Sequence, residues 1–322
     1  MDTKYYLEKI NRELSNHHFD GKPRELYEPI RYILGLGGKR LRPLLTLYGC
    51  YLFSGGCKKA LVPSLGVETF HNFTLVHDDI MDNAPLRRGK STVHTKWNND
   101  VGILSGDTML FKAYEFLIRV DDSIVKKVIN LFNACAIEVC EGQQYDMNFE
   151  QRDGVGESEY INMIRLKTAV LLGFSLQLGG LIGGADDENA ELLRKFGENI
   201  GIGFQLKDDL LDVYGDHEKF GKQVGGDIIA NKKTYLLIKA LELGSEKQVE
   251  QLNELLHGNY EPEEKVRQVT HIYDEIGINE ITHKKMNEYF DGAFRYLDQV
   301  DCDPNHREQL ATFSEYLINR DH

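Results

Sequence analysis

Long stretches of this chain carry nothing that would interrupt a helix. Its 322 residues include seven prolines, and between them apolar residues recur at the three- and four-residue spacing of one helix face. Runs of alternating β-branched residues are scarce, and the best candidate strand, Val101–Leu104, is too short to found a sheet. The chain is therefore predicted to be all-α. The clearest helices are predicted over Leu61–Asp82, Val125–Phe149 and Leu192–Tyr214.

The domain organisation follows from what the chain lacks. No repeat of about 20 to 50 residues is visible, which argues against a solenoid. No linker rich in Pro, Gly or Ser divides the sequence, and loops are predicted at Gln151–Glu157, Gly215–Gly226 and His257–Glu263. We therefore predict one large helical bundle that occupies residues 1–322 as a single domain.

The charge balance limits the kinds of ligand. Lys and Arg number 38 against 51 Asp and Glu, a formal net charge of −13. No broad cationic face is expected, so a nucleic acid is not a predicted partner. An anionic ligand would need a local basic cluster or bridging metal ions.

The expected location rests on three features. Five cysteines form no C-x-x-C pair and, being odd in number, do not fit a disulfide framework, which favours a reducing compartment. The N-terminal residues lack the apolar run of a signal peptide. The longest uncharged run, Thr168–Ala185, contains five glycines, which predicts a buried helix packed closely against a neighbour and not a membrane span. We expect a cytoplasmic protein.

The pattern D-D-x-x-D occurs twice, each time in an apolar helical segment. The copies consist of Asp78, Asp79 and Asp82, and of Asp208, Asp209 and Asp212. Residues four apart share a helix face, so the outer carboxylates of each copy stack and repel each other. Paired carboxylate oxygens suit Mg²⁺, which shares its remaining ligands with water and substrate phosphates. The pattern therefore indicates two sites for a hard cation.

Acid clusters also have ordinary roles. Asp186-Asp187-Glu188 follows two glycines, and we interpret it as the cap at the start of a helix. The D-D-x-x-D copies differ because Leu, Val, Ile and Phe surround them. An EF-hand is excluded because neither copy has the central glycine of the calcium loop.

Basic residues are concentrated at a few places in this acidic chain. The clusters are Gly37-Gly38-Lys39-Arg40-Leu41-Arg42, Arg87-Arg88-Gly89-Lys90, Lys167-Thr168, Gly221-Lys222 and Lys232-Lys233. Arginine and lysine are the usual partners of phosphate oxygens, although a single cluster can equally serve a helix dipole or solubility. Together with two metal-type motifs, these clusters favour two diphosphate sites, one bridged by metal and one held by cations alone.

These motifs resemble those of the trans-isoprenyl diphosphate synthases, the farnesyl and geranylgeranyl diphosphate synthase family. The resemblance covers residues 37–234. The matching segments, in the family's order, are GGKRLRP, ETFHNFTLVHDDIMDNAPLRRGKSTVH, GQQYD, LKTA, GFQLKDDLLD and GKQVGGDIIANKKT. It implies the isoprenoid synthase type of helical bundle around a central cavity, and a homodimer.

The resemblance also implies roles for individual residues. Three Mg²⁺ ions would be held by Asp78, Asp82, Asp208 and, less directly, Asp79, Asp209, Asp212, Gln143 and Asp146. The allylic diphosphate would be contacted by Arg87, Lys167, Lys222 and Lys232. Isopentenyl diphosphate would be bound without metal by Lys39, Arg42, His71 and Arg88. Thr168 and Gln205 would place oxygen dipoles beside the forming allylic cation. His71, Asp78 and Asp82 lie at i, i+7 and i+11, one stripe of one helix, which agrees with these roles.

The implied reaction is a 1′–4 trans condensation of isopentenyl diphosphate with an allylic diphosphate. Charge stabilisation of departing pyrophosphate makes ionisation of the allylic C–O bond feasible. The double bond of isopentenyl diphosphate attacks the cation, and a proton is lost to the released pyrophosphate. The Gly215–Gly226 segment either closes over the site to exclude water or is an ordinary loop between helices. The prediction requires the two acidic motifs to face each other across an apolar cavity.

Three alternatives remain open at this point. A class I terpene cyclase would not need the set Lys39, Arg42, His71 and Arg88. An inactive regulatory subunit should have lost acids from one motif, whereas this chain keeps all six. A farnesyl diphosphate synthase differs only in product length.

Product length is predicted from the residues just before the first acidic motif. With a rise of ~1.5 Å per residue, the fourth and fifth residues before Asp78 lie roughly 6 to 7.5 Å below it, about one isoprene unit. Thr74 and Phe73 occupy these positions. In the resembled family, two adjacent aromatics there accompany a fifteen-carbon product, whereas a single one five residues upstream resembles geranylgeranyl-type enzymes. Phe73 is thus a partial floor, and twenty carbons are favoured over fifteen.

Phe73→Ala is expected to lengthen the product, because removing the ring deepens the space below Asp78. Chromatography of the dephosphorylated products measures the chain length. A product distribution identical to that of the unmodified enzyme would contradict the floor assignment.

Overall fold

The computed structural model of the chain describes residues 1–16, 19–152, 154–215 and 225–319. Helices make up 81% of the structure, which confirms the all-α prediction. The helices are α1 (Thr3–Asn16), α2 (Arg24–Gly35), α3 (Leu41–Ser54), α4 (Leu61–Met81), α5 (Val93–Lys96), α6 (Asn99–Leu117), α7 (Asp122–Glu150), α8 (Glu157–Ile164), α9 (Val170–Gly183), α10 (Asp187–Tyr214), α11 (Gly226–Ile229), α12 (Tyr235–Leu243), α13 (Glu246–His257), α14 (Pro262–Ile276), α15 (Ile278–Asp298) and α16 (Pro304–Asn319).

The three helices predicted most clearly are all present, as α4, α7 and α10. Asp186 caps α10 as predicted, because its Oδ1 accepts a hydrogen bond from the backbone N–H of Asn189 (2.8 Å). Val101–Leu104 lies inside α6 and is helical. Most of the Gly215–Gly226 segment lies outside the described residues, so its closure over a site stays a prediction.

A short antiparallel hairpin is the exception to the helical pattern. Strand β1 (Leu86–Arg87) pairs with β2 (Lys90–Ser91), with Leu86 opposite Ser91 and Arg87 opposite Lys90. The two turn residues, Arg88 and Gly89, have φ angles of +53° and +72°. Positive φ at both central positions belongs to the two-residue turn that matches the natural twist of a hairpin. The hairpin therefore presents Arg88 at its tip.

The residues group into two compact units. The first comprises Met1–Cys135, Leu171–Arg194 and Val300–Leu310, and the second comprises Ala136–Val170, Lys195–Gln299 and Ala311–His322, as far as these ranges are described. The single domain and the central cavity inferred from sequence stay predictions.

The core of the first unit is built around α4, which packs against α3 and α6. Phe70, Phe132 and Phe174 are almost fully buried. The ring of Phe132 lies 5.0 Å from that of Phe70 and 5.6 Å from that of Phe174, centroid to centroid. Aromatic pairs at this spacing add to the hydrophobic gain of burial. They anchor the helix whose far end carries the first acidic motif.

Glycines let α3 and α9 approach each other backbone to backbone. A Cβ on Gly49 would lie 2.5 Å from the carbonyl oxygen of Leu176, and one on Gly183 would lie 2.7 Å from that of Cys50. The apolar run Glu157–Gly183 is long enough to cross a membrane on length and composition alone, but 83% of its most apolar window is buried inside the protein. The prediction of a buried, closely packed helix in this part of the chain is confirmed.

The second unit is organised around α10, α12 and α15. The ring centroid of Phe196 in α10 lies 6.1 Å from that of Phe294 in α15. The ring centroid of Phe204, also in α10, lies 5.9 Å from that of Phe290 in α15. Helix α12 packs against α14 and α15 and also against α8. The ring pairs with α15 hold α10, the helix that carries the second acidic motif.

Candidate active site

The first acidic motif lies at the C-terminal end of α4. Asp78 is partly exposed, and Asp82 is exposed and forms the C-cap of the helix. Asp79, between them, is 1% exposed. Arg87 Nε and Nη2 donate to its carboxylate at 2.7 to 2.9 Å. The hairpin therefore neutralises the buried carboxylate and leaves the outer two accessible.

The second acidic motif shows the same division. Asp208 is exposed and Asp212 partly exposed, whereas Asp209 is buried. Tyr160 Oη donates to Asp209 Oδ2 (2.5 Å), and Gln205 Nε2 donates to Oδ1 (3.3 Å). Burial raises the pKa of Asp209 to about 7, against the opposing effect of the Tyr160 hydrogen bond. In this motif neutral donors hold the middle carboxylate.

The accessible carboxylates are suitable ligands for a hard cation. Across the residues that the structure describes, no three His, Cys, Asp or Glu side chains form a ready-made metal site. Each motif instead offers two oxygen-bearing side chains four residues apart, Asp78 with Asp82 and Asp208 with Asp212. Mg²⁺ is commonly bound through one or two carboxylates plus water and substrate phosphates. The donor set therefore fits Mg²⁺ bound together with a diphosphate.

Lys167 and Thr168 lie on an unusual turn between α8 and α9. Residues Arg165–Ala169 form one turn of π-helix, a feature that often marks functional sites. Lys167 Nζ donates to Asp146 Oδ2 (2.5 Å), and Thr168 Oγ1 donates to Gln205 Oε1 (3.4 Å). The structure thus brings four of the predicted site residues together within the second unit.

Gly142 explains how α7 reaches this turn. A Cβ on Gly142 would lie 2.6 Å from Lys167 Cα, so no larger residue fits without moving the backbone. Gln143, the next residue of the G-Q-x-x-D segment, is buried. The glycine of that segment is therefore a packing requirement that positions Asp146 opposite Lys167.

The predicted metal-free diphosphate site lies in the first unit. Arg42 has a buried Nε with no hydrogen-bond partner in the part of the chain that is described, and burial lowers the pKa of its guanidinium to about 10. Burial and the neighbouring arginines, Arg42 and Arg88 foremost, hold the pKa of His71 well below its ordinary value. Arg88 Nη1 donates to the carbonyl oxygen of Gly37. This concentration of positive charge fits an anionic ligand.

Arg40 is the cation of this cluster that sequence reasoning left without a role. It lies between Lys39 and Arg42 with a φ of +47° and is buried. Its Nη1 donates to Glu68 Oε1 (2.6 Å) and its Nη2 to the carbonyl oxygen of Leu34 (2.6 Å). Arg40 therefore anchors the loop before α3. Lys39, the preceding residue, is exposed.

The remaining predicted residues fall in different places. Lys232 forms an ion pair with Asp227 (3.1 Å) just before α12. Lys222 lies outside the described residues. Phe73 packs one helical turn from His77, with ring centroids 4.7 Å apart, and 5.6 Å from Phe70. The roles assigned to these residues from sequence stay predictions.

Two residues of the site were not found from sequence. Tyr160 lies in an unremarkable stretch, and only the fold shows that its hydroxyl meets Asp209. Glu68 occurs three residues before His71, among apolar residues of the same helix. An acid at such a position is buried in the structure and needs a cation as partner, which is the signal that could have predicted its pairing.

Two D-D-x-x-D motifs at helix ends, with basic clusters on an all-α scaffold, define the class of prenyl diphosphate synthases. The polyprenyl synthetase family model matches residues 23–276, and the chain belongs to this family. This confirms the resemblance found in the sequence.

Several proteins with similar sequences or structures carry the same name, geranylgeranyl diphosphate (pyrophosphate) synthase. The chain is 40% identical to the geranylgeranyl pyrophosphate synthase of Geoglobus acetivorans, over 97% of this chain and 96% of that one. It is 38% identical to the geranylgeranyl diphosphate synthase of Methanosarcina mazei, over 94% and 91% of the two chains. A crystal structure of a geranylgeranyl pyrophosphate synthase superposes with a TM-score of 0.92 at 43% identity, covering 98% of this chain and 97% of that one.

The two kinds of aspartate predict two kinds of variant. Asp79→Asn is expected to lower the free energy of unfolding by about 1.5–3 kcal/mol, because Arg87 loses its charged partner. Asp82→Asn, at an exposed position, is expected to change it by less than about 0.5 kcal/mol. Urea denaturation of both variants measures the difference, and equal losses would contradict the anchoring role of Asp79.

Proposed function

We propose that the protein is a geranylgeranyl diphosphate synthase, which condenses isopentenyl diphosphate with an allylic diphosphate. The carrying observation is the cluster of basic residues Lys39, Arg42, His71 and Arg88 in the first unit, where Arg42 keeps a buried Nε without a partner among the described residues. A cyclase acting on one prenyl diphosphate has no use for this second anion site. The names of the relatives and the single aromatic Phe73 support the twenty-carbon product, with farnesyl diphosphate as the alternative.

We propose that activity depends on Mg²⁺, with three ions as the expected number. Asp78 and Asp82 would hold the metal in the first unit, and Asp208 and Asp212 in the second. Asp79 and Asp209 are anchored by Arg87 and by Tyr160, so they would act by orienting their motifs. Bound Mg²⁺ would supply neutralisation of the charge that develops on departing pyrophosphate.

The residues of the chain then have separable tasks. Lys167 and Arg87 bind diphosphate oxygens, and their charges stabilise the leaving group as the allylic C–O bond breaks. Thr168 and Gln205, held together by their hydrogen bond, direct oxygen dipoles toward the allylic cation. The cations around Arg42 orient isopentenyl diphosphate so that its double bond attacks that cation. The proton lost in forming the new double bond passes to a pyrophosphate oxygen.

The function is tested by incubating the protein with isopentenyl diphosphate and either geranyl or farnesyl diphosphate, in Mg²⁺ or in EDTA. A twenty-carbon diphosphate is expected in Mg²⁺ and none in EDTA. Lys39→Gln is expected to raise the KM for isopentenyl diphosphate about tenfold, the loss of one charge-assisted bond, with little change for the allylic substrate.

Lys58→Gln, an exposed lysine in the same unit, is the matched control and should behave as the unmodified enzyme. Consumption of the allylic diphosphate without isopentenyl diphosphate would contradict the proposal in favour of a cyclase. No turnover with any allylic substrate would favour an inactive subunit.

The proposed assembly is a homodimer in the cytoplasm. Leu104 and Phe111 of α6 and Ile118, the C-cap of that helix, recur every seven residues and are 59%, 69% and 49% exposed. An apolar stripe of this kind on a helix marks an interaction surface, and a second copy of the chain is its proposed occupant. The odd number of cysteines, which does not suit a disulfide framework, supports a reducing compartment.

Phe111→Asp is expected to convert the dimer to a monomer, because it places a charge in the centre of the stripe. Light scattering should report about twice 36.9 kDa for the unmodified protein and one chain for the variant. Leu243→Asp, an equally large change at an exposed apolar residue of α12, is the control and should leave the mass unchanged. A monomeric unmodified protein would refute the dimer.

A further inference from the structure

The hairpin that carries Arg88 is too small to hold itself in place. It consists of two residue pairs, and isolated two-stranded hairpins are at best marginally stable in water. Arg88 also has a left-handed backbone conformation, which residues other than glycine, asparagine and aspartate adopt less often. Contacts from outside the hairpin must therefore maintain its conformation.

Each strand has its own attachment. Arg87 of β1 is held by its hydrogen bonds to Asp79. Ser91 of β2 accepts a hydrogen bond at its carbonyl oxygen from Tyr32 Oη of α2 (2.7 Å). Thr92 closes the base, because its Oγ1 donates to the carbonyl oxygen of Ala84 (2.8 Å). The Tyr32 bond thus ties β2 to a different helix from the one that holds β1.

The ring of Tyr32 is itself held in orientation. Trp97 lies edge-on to it, with centroids 5.4 Å apart and an interplanar angle of 71°. The ammonium of Lys96 lies 3.8 Å from the centroid of the Tyr32 ring and 4.8 Å from that of Trp97. Cation–π and aromatic contacts of this geometry restrict the ring. The hydroxyl is therefore directed at Ser91 before any ligand binds.

The tip of the hairpin returns to the same segment of chain. Arg88 Nη1 donates to the carbonyl oxygen of Gly37, five residues after Tyr32. The guanidinium lies against Gly38, where a Cβ would come within 2.8 Å of Nη2. Lys39 follows directly. Residues 32–38 therefore contact the hairpin at both Ser91 and Arg88, directly before the exposed Lys39 of the same cluster.

We propose that Tyr32 is a positioning residue for the metal-free diphosphate site, acting through Ser91 on Arg88. This inference rests on the proposed function. Its effect is selective, because Arg87 keeps its independent attachment to Asp79. Loss of the Tyr32 hydroxyl removes the bond between β2 and α2, so Arg88 is oriented less precisely by its remaining contacts, while the contacts of Arg87 to the allylic diphosphate remain.

The test is Tyr32→Phe, which removes the hydroxyl and keeps the ring between Lys96 and Trp97. The KM for isopentenyl diphosphate is expected to rise about three- to tenfold, the effect of one hydrogen bond, with the KM for the allylic diphosphate and kcat nearly unchanged. Titration calorimetry with isopentenyl diphosphate in EDTA should show the same loss of affinity without turnover.

Two further variants make the result decisive. Tyr48→Phe removes another tyrosine hydroxyl of the first unit, one bonded to Thr3, and should leave the affinity for isopentenyl diphosphate unchanged. If Tyr32 acts through Arg88, adding Tyr32→Phe to Arg88→Gln should produce no further loss.

The outcomes separate the two proposals. Unchanged affinity in Tyr32→Phe, equal losses for both substrates, or losses that multiply with those of Arg88→Gln would overturn the positioning role. If Arg88→Gln lowers the affinity for isopentenyl diphosphate and Tyr32→Phe does not, the proposed function stands and the positioning role of Tyr32 is wrong. An unmodified protein that neither binds nor condenses isopentenyl diphosphate would overturn both.

Discussion

The middle aspartate of each acidic motif has to be buried with a partner, and the rest of the candidate site depends on how this is done. A helix that carries carboxylates at i and i+4 on its accessible face also carries the one at i+1 toward the core. Burying a carboxylate alone is costly, so each unit supplies donors. Arg87 brings a charge to Asp79 from a hairpin, whereas Tyr160 brings a neutral hydroxyl to Asp209 from a helix. Each solution requires a specific neighbour from another part of the same unit.

The same distinction separates scaffolding cations from cations that can bind a ligand. Arg40 forms a buried ion pair with Glu68, and breaking such a pair by removing one partner is strongly destabilising. Arg42, two residues later, instead keeps a buried Nε without a partner among the described residues. The chain has a net charge of −13, so acidic residues outnumber basic ones. Arg42 and Arg88 nevertheless lie near His71 and, together with burial, lower its pKa. This contrast supports the proposal that Arg42 belongs to a ligand site and that Arg40 stabilises the loop beside it.

The sequence was sufficient where local pattern decides the structure and insufficient where distant residues meet. Helices α4, α7 and α10 follow from period and apolar content, and the capping role of Asp186 follows from the glycines before it. The hairpin at 86–91 was not predicted, because two-residue strands leave no periodic signal. Tyr160 could not be assigned either, since its partner lies 49 residues away and no local pattern indicates which group its hydroxyl meets.

The predicted control of product length involves a different part of the first unit, the aromatic rings below Asp78. Below Asp78 the rings succeed one another as His77, Phe73 and Phe70, and Phe70 packs edge-on against Phe132. Phe73 is partly exposed, whereas Phe70 and Phe132 are almost fully buried. A side chain at the margin of a core can be truncated without leaving an enclosed void, but truncating one inside the core leaves a cavity that destabilises the fold. Selection for product length can therefore act on Phe73 at low cost, while the next ring down is constrained by stability.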